Sequence, residues 1–273
     1  MHNRFPEYDN GEFTAEFIKE LDIQMERAKK LLLIQREILK KRISEGYLKF
    51  FTYGYIDLDL HLFSTVGYIG IYEALESLGK DPIGEDGIKI SIAILSRMKD
   101  LTLQWSKEYK VSFNLEQIPG ESTAYKFAQK DSVLYGTDTK LYSNSFIPHT
   151  RKSNILERIR IAGIFEKIIT GGSIVHINVG EELKSVKQMS SLCYAAIKAG
   201  LNQFAVNYNY CICSMNDKHV SKGGPKTKYC PICGGKINDY VTRIIGYWAK
   251  VSGWATPRKI EHKDRDYNQV VNL

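Results

Sequence analysis

Four of the five cysteines, Cys211, Cys213, Cys230 and Cys233, crowd into a short stretch near the carboxyl end of the sequence. Cys230-x-x-Cys233 followed by Gly234-Gly235 has the shape of a zinc knuckle, in which two thiolates bind one ion and the glycines permit a tight turn. Cys211-x-Cys213 supplies a second pair, so the four thiolates are expected to close a tetrahedral, structural Zn2+ site with no open position. The upstream pair departs from the usual two-residue gap, and His219 stands as a substitute for one of its members. Clustering of this kind in a chain without a secretory leader points to metal before disulfides. Cys193 falls in the apolar helical pattern "SSLCYAAIKAG" and reads as a core residue.

A second feature follows directly. In "VTRIIGYWAKVSGW", residues 241–254, Gly246 sits between an isoleucine-rich strand and two aromatics. A lone glycine there supplies a turn or a close backbone approach. Its surroundings are more specific: Arg243-Ile244-Ile245-Gly246-Tyr247, the knuckle just before, Val251-Ser252-Gly253-Trp254 after, and the tail Lys259-x-Glu261-x-Lys263-Asp264-Arg265. Together they resemble the carboxyl terminus of the anaerobic, class III ribonucleoside-triphosphate reductases, members of the glycyl radical enzymes. The blocks "HLFSTVGYIGIYEAL", "NLEQIPGESTAYKFAQKD", "LYSNSFIPHT" and "TGGSIVHINVGE" extend the resemblance over nearly the whole chain, in the family's order.

The resemblance implies that Gly246 carries a stable radical, installed by a separate activating enzyme that uses S-adenosylmethionine and an iron–sulfur cluster. Glycine suits that role because its Cα radical lies between an electron-donating nitrogen and an electron-withdrawing carbonyl and flattens without a side chain in the way. The implied fold is α/β. Residues 1–205 would form the second half of a ten-stranded barrel, 206–238 a zinc ribbon, and 239–273 the glycyl radical loop and tail. By the same resemblance Ser143, Asn144 and Ser145, beside Pro148, and Gly171-Gly172 border the site of a ribonucleoside triphosphate. Glu116 and Glu121 flank Pro119-Gly120 and are candidates for the same cavity, whereas His176, alternating with apolar neighbours, reads as an interior histidine.

The family's reaction also needs a cysteine that becomes a thiyl radical and removes the ribose 3′ hydrogen. No cysteine precedes Cys193, and the family order places that loop beyond Met1. The expectation is a carboxyl-terminal half that acts with an amino-terminal half bearing the thiyl cysteine and is inactive alone. The complete enzyme is expected to be a homodimer making deoxyribonucleotides for DNA replication.

The elements that must position these residues are legible from periodicity. Phe17, Leu21, Met25, Ala28 and Leu32 predict a helix capped by Thr14 and running to about Arg42, and Ile94, Met98, Leu101 and Trp105 predict another. A short strand and helix are predicted before Gly79. The pieces "KVSFNL", "LYSNSFIP" and "GSIVHINV" each read as β-rich and precede helices around 121–130, 153–166 and 185–199. Phe204, Val206, Tyr208 and Tyr210 alternate as one strand. A chain of 273 residues that is 43% hydrophobic and 25% charged can bury a large core. No apolar run is long enough to span a bilayer and no leader is visible, so a cytoplasmic protein without membrane contact is expected. The net charge of +7 is spread along the chain. It keeps open an alternative, a zinc-ribbon nucleic-acid-binding module on an α/β domain, with Lys218, Lys222, Lys226 and Lys228 on phosphates.

Overall fold

The computed structural model describes residues 10–180, 183–243 and 247–268, with side chains from residue 15 onward except that of Glu121. The chain divides into two compact units, Met1–Ile118 with Ile168–Gly172, and Pro119–Lys167 with Ser173–Leu273.

The first unit is built on the expected long helices. Helix α1 spans Asn10–Ser44, so it starts before Thr14 rather than being capped there. No proline lies between the two positions to stop the helix from extending backward. Two one-turn helices, α2 (Lys49–Thr52) and α3 (Leu58–His61), lead into strand β1 (Ser64–Tyr68). Arg36 of α1 is buried and ties the helix to this entry, donating to Leu58 O at 2.5 Å and to Leu62 O and Ser64 Oγ at 3.1 Å. Helices α4 (Ile71–Ser77) and α5 (Glu85–Tyr109) then cross to β2 (Phe113–Gln117), which runs parallel to β1. The α5 face that carries Ile94, Met98, Leu101 and Trp105 is the buried one, and Trp105 meets Phe113 edge-on at 5.6 Å. Near-continuous burial along β2 is what a parallel strand beneath helices requires.

The second unit repeats the device. Helices α6 (Glu121–Tyr135) and α7 (Ile155–Glu166) precede β3 (Val175–Asn178), and α8 (Val186–Ala199) carries the chain to the parallel strand β4 (Phe204–Asn207). Asn154 and Ser185 cap α7 and α8, their side-chain oxygens accepting from Glu157 N at 2.8 Å and Gln188 N at 3.2 Å. Ile155, Ile159, Ile177, Val179 and Leu192 form the apolar core of this layer. Gly163 lies against the Ala199 carbonyl where a Cβ would collide, which lets α7 and α8 approach closely.

Two strand expectations change. "LYSNSFIP" belongs to a stretch without helix or strand, residues 136–154, in which Ser143 and Ser145 bond each other's backbone turn and Asn144 reaches the Pro119 carbonyl rather than a neighbouring strand. The 204–210 pattern splits at Tyr208-Asn209 into β4 and β5 (Tyr210–Cys213), which lie in different sheets. Strands β6 (Val220–Lys222), β7 (Ile237–Arg243) and β8 (Trp248–Lys250) join β5 in an antiparallel sheet of order β6-β5-β7-β8. A 3-10 turn at Val251–Gly253 leads to α9, Thr256–Asp264. None of the described helices is long and apolar enough to cross a membrane.

Candidate functional site

The cysteine ribbon assembles a metal-ready group from one strand and two loops. The ligand atoms of Cys213, His219, Cys230 and Cys233 all lie within 4.8 Å of one another. A tetrahedral zinc–thiolate site sets its ligand atoms about 3.7 Å apart, from a bond of about 2.3 Å, so a small contraction around an ion suffices. Cys213 and Cys233 already bring their sulfurs to 3.4 Å. Three observations fit a bound ion. His219 Nδ1 is buried without a hydrogen-bond partner. Burial raises the Cys213 thiol, but hydrogen bonds with the Met215 amide, the Cys233 thiol, the Asn216 amide and the Cys230 thiol together outweigh it and hold the thiol below its ordinary range. The knuckle itself is closed by backbone bonds, Gly234 N to Cys230 O at 2.8 Å and Cys230 N to Gly235 O at 2.7 Å. Gly234 takes φ +74°, a conformation that favours glycine, and a Cβ on Gly235 would stand 2.5 Å from Met215 Cγ and 3.1 Å from Cys213 Sγ, so a side chain there would have to displace the exposed Met215.

Cys211 lies outside that group. Its fully buried thiol sits behind Gly223, where a Cβ would come within 2.9 Å of the sulfur, and burial raises it against a hydrogen bond with Thr227. Among the described residues His219, the substitute the sequence offered, stands in that group where Cys211 does not, because the loop after β5 doubles back and brings the imidazole beside Cys213. Cys193 is on α8, half-buried and free.

A second polar concentration lies at the carboxyl ends of β3 and β4, where crossover folds place their sites. Asn178 Nδ2 donates to His149 Nδ1 at 3.2 Å, and Asn207 Nδ2 to His176 Nδ1 at 2.9 Å and to Asn178 Oδ1 at 3.3 Å. His149 Nε2 faces Ser145 Oγ at 3.4 Å, and the two imidazoles meet edge-on with centroids 5.9 Å apart. Burial pushes His149 well below the ordinary histidine range; burial, then the Arg265 charge, lowers His176 to about 4, so both rings are neutral at pH 7. His176 Nε2 and Asn207 Oδ1 are buried without partners, one donor and one acceptor given the bonds their other atoms make. His176 is thus an interior histidine, as expected, but one incompletely satisfied. His149, Asn178 and Asn207 were missed in the sequence; the available signal was polar residues ending two β-rich runs.

The other expected residues are placed as follows. Ser143 Oγ and Ser145 bond each other's turn at 3.1 Å, and Asn144 Nδ2 donates to Pro119 O at 2.9 Å. In the first unit, Gly171 N donates to Leu115 O at 2.7 Å, and a Cβ on Gly171 would stand 2.8 Å from Asn114 Nδ2. Gly172 has φ +93° and its carbonyl accepts from Gln117 N at 3.2 Å. Burial raises the Glu116 carboxyl. Glu121 opens α6. Gly246, with Ile244 and Ile245, lies outside the described residues, but both flanks are defined: β7 ends at Arg243, β8 begins at Trp248, and these two residues pair across the antiparallel ladder.

Helix α9 contacts the 3-10 turn, and Arg265 just beyond the helix donates to the Arg243 carbonyl at 3.2 Å. Glu261 is buried between Arg258 and Arg265, whose charges hold its carboxyl well below the usual range in spite of burial. His262 donates to Asn209 Oδ1 at 2.8 Å, and Asn209 Nδ2 to Gly223 O of the ribbon at 2.7 Å. Beyond α9 the tail pairs with β3, Asn268 N donating to Asn178 O at 2.8 Å and Gly180 N to Asn268 O at 3.0 Å.

Comparison with known proteins gives this architecture a relation. The family profile described as anaerobic ribonucleoside-triphosphate reductase matches residues 7–267. An anaerobic ribonucleoside-triphosphate reductase of Enterobacteria phage T4 is 28% identical over 194 residues, which are 67% of this chain and 30% of that protein. A solved anaerobic ribonucleotide reductase is 31% identical with a TM-score of 0.83, covering 94% of this chain and 42% of the other. The Thermotoga maritima anaerobic ribonucleotide reductase in complex with dATP and CTP is 29% identical at a TM-score of 0.76, covering 92% of this chain and 41% of the other. The chain thus spans less than half the length of these relatives.

Proposed function

The chain belongs to the anaerobic ribonucleoside-triphosphate reductase family, and from that premise we propose that it is the radical-carrying, carboxyl-terminal part of such a reductase. The observation that carries this reading is the family match along residues 7–267, which includes Arg243-Ile244-Ile245-Gly246-Tyr247 in sequence. In the proposed division, residues 1–205 belong to the catalytic barrel, 206–238 to the ribbon and 239–273 to the radical loop and tail.

The proposed cycle starts with removal of one hydrogen atom from Gly246 Cα by the radical that a partner activating enzyme derives from S-adenosylmethionine. The thiyl cysteine that Gly246 would oxidise is supplied from outside these 273 residues. That cysteine's S–H bond breaks and its hydrogen atom returns to Gly246 Cα. The thiyl radical then takes the 3′ hydrogen of a ribonucleoside triphosphate, and the 2′ hydroxyl takes up a proton and leaves as water. A reductant of the formate or dithiol class supplies the two electrons, and the cysteine's hydrogen atom returns to C3′. Cys213, His219, Cys230 and Cys233 are suited to hold Zn2+, whose contribution is structural, since three thiolates and an imidazole leave no open position.

The orphaned His176 N–H and Asn207 carbonyl at the strand ends suit ribose hydroxyls, which both donate and accept. Ser143, Asn144 and Ser145 are proposed for the nucleotide on the same grounds as before, and Gly171 and Gly172 on the resemblance alone. The structure already gives Gly171 a packing reason and Gly172 a backbone reason, its φ of +93°. A complete homodimeric enzyme in the cytoplasm, feeding DNA replication, completes the proposal.

The test is anaerobic formation of deoxyribonucleotide by the assembly purified with this chain. Gly246→Ala is expected to abolish it with zinc content unchanged. Loss of zinc or solubility in that variant, with residual turnover, would instead make Gly246 a turn residue.

A further inference from the structure

Resting on the reading that Gly246 bears the radical, we propose that Arg265 is a positioning residue for the segment that carries it. Its guanidinium is buried, with 2% of the side chain exposed, and donates through Nη1 to the carbonyl of Arg243 at 3.2 Å. Arg243 is the last residue of β7 and stands three positions before Gly246. Two further donors of the fork go to Glu261 Oε1, from Nε at 3.2 Å and from Nη2 at 2.7 Å, and the Tyr267 side chain is a further hydrogen-bond partner. The guanidinium also lies over the Trp254 ring, 5.5 Å from its centroid. A carboxylate, an aromatic face and a backbone carbonyl therefore fix the orientation of one planar group.

Stability alone does not account for this arrangement. A buried ion pair is weak evidence for stability, since apolar packing of the same volume commonly stabilises as well or better. What the charge adds is direction: a fork aimed at the carbonyl from which the Gly246 segment departs. The partner strand is restrained on the same side, since the Arg243 guanidinium lies over Trp248 at 5.7 Å and the two residues pair. Asp239 of β7 accepts from Ser252 N at 3.1 Å and Ser252 Oγ at 2.6 Å, fixing the exit of the hairpin. Hydrogen-atom transfer to and from a Cα demands such control, because a misplacement of about 1 Å costs on the order of a hundredfold in rate.

The test reads radical per chain by electron paramagnetic resonance, using the anaerobic assembly that contains this chain, its activating enzyme and S-adenosylmethionine. Arg265→Lys keeps the charge opposite Glu261 but cannot bond both Glu261 and Arg243 O with a planar fork. It is expected to retain zinc and a normal melting temperature while radical yield falls about tenfold or more. Unchanged yield and radical lifetime in Arg265→Lys would overturn the proposal. Should that variant lose zinc, Glu261→Gln decides: with zinc retained, lower yield supports the proposal and unchanged yield overturns it. Absence of any Gly246-dependent signal from the unmutated chain would sink the underlying reading instead.

Discussion

The cysteine ribbon and the layer made by α7, β3, α8 and β4 belong to one compact unit but are held together by different physics. In the layer, Ile155, Ile159, Ile177, Val179 and Leu192 bury their side chains against one another across two helices and two strands. In the ribbon, Met215 is 77% exposed, Tyr229 61% and Ile232 59%, and the buried residues around the knuckle are mainly cysteines. Four short strands with so little apolar interior need a staple, whereas the layer has a core of its own. Order in the ribbon should therefore follow the metal, and order in the layer should follow packing.

The largest expected effect tests that division. Cys230→Ala removes a ligand, and structural zinc in small modules is worth about 10–16 kcal/mol in apparent binding energy. Zinc content should fall to zero and the amides of β5, β6 and β7 should lose hydrogen-exchange protection while those of α7 and α8 keep theirs. Collapse of both regions together would break the comparison. The reciprocal change is Leu192→Ala, which opens a cavity in the layer and should cost about 2–5 kcal/mol by denaturant titration with zinc stoichiometry intact.

Acid should reach the junction between the regions. Burial, then the Arg265 charge, lowers His262 to about 4, so the unfolded chain binds its proton more readily than the native one below about 6.5. Stability from this neutral, Asn209-bonded imidazole is full above pH 6.5 and declines toward pH 4, by about 2 kcal/mol at pH 5. His176 adds to the same window. Glu261 has the opposite chemistry, and the stability it contributes as a carboxylate is lost only at lower pH. Denaturant midpoints at pH 7 and 5 check the decline, and a flat profile would contradict it. The smallest effect belongs to the α7 cap: Asn154→Ala should cost about 1 kcal/mol and leave the ribbon untouched.

Much of this organisation was legible in residue order, and the exceptions share a cause. Helices α1, α5 and α8 and the strand–helix alternation follow from spacing that local periodicity preserves. The knuckle was readable because Cys-x-x-Cys-Gly-Gly fixes its own geometry. Spacing offered His219 as a substitute within the upstream pair but not which cysteine it replaces, since that depends on how the loop after β5 doubles back, a tertiary event that spacing does not encode. The buried His149, Asn178 and Asn207 cluster was hidden for the same reason, its members lying 29 residues apart or more and meeting only when β3 and β4 pair. The break at Asn209 was invisible because Tyr208 and Tyr210 continue the alternation, while the asparagine is recruited by Gly223 and His262.

In the proposed function Gly246 stores an unpaired electron a few residues after a ribbon suited to zinc. A glycine Cα radical keeps one α-hydrogen, so its resonance should split into two lines that merge when glycine deuterated at Cα is incorporated. The direct measurement is electron paramagnetic resonance of the anaerobically activated assembly containing this chain, with ordinary and with Cα-deuterated glycine. The account predicts a doublet that collapses on deuteration and vanishes in Gly246→Ala at unchanged zinc. A zinc-replete, activated protein that shows no doublet, or one whose doublet survives Gly246→Ala, would contradict it.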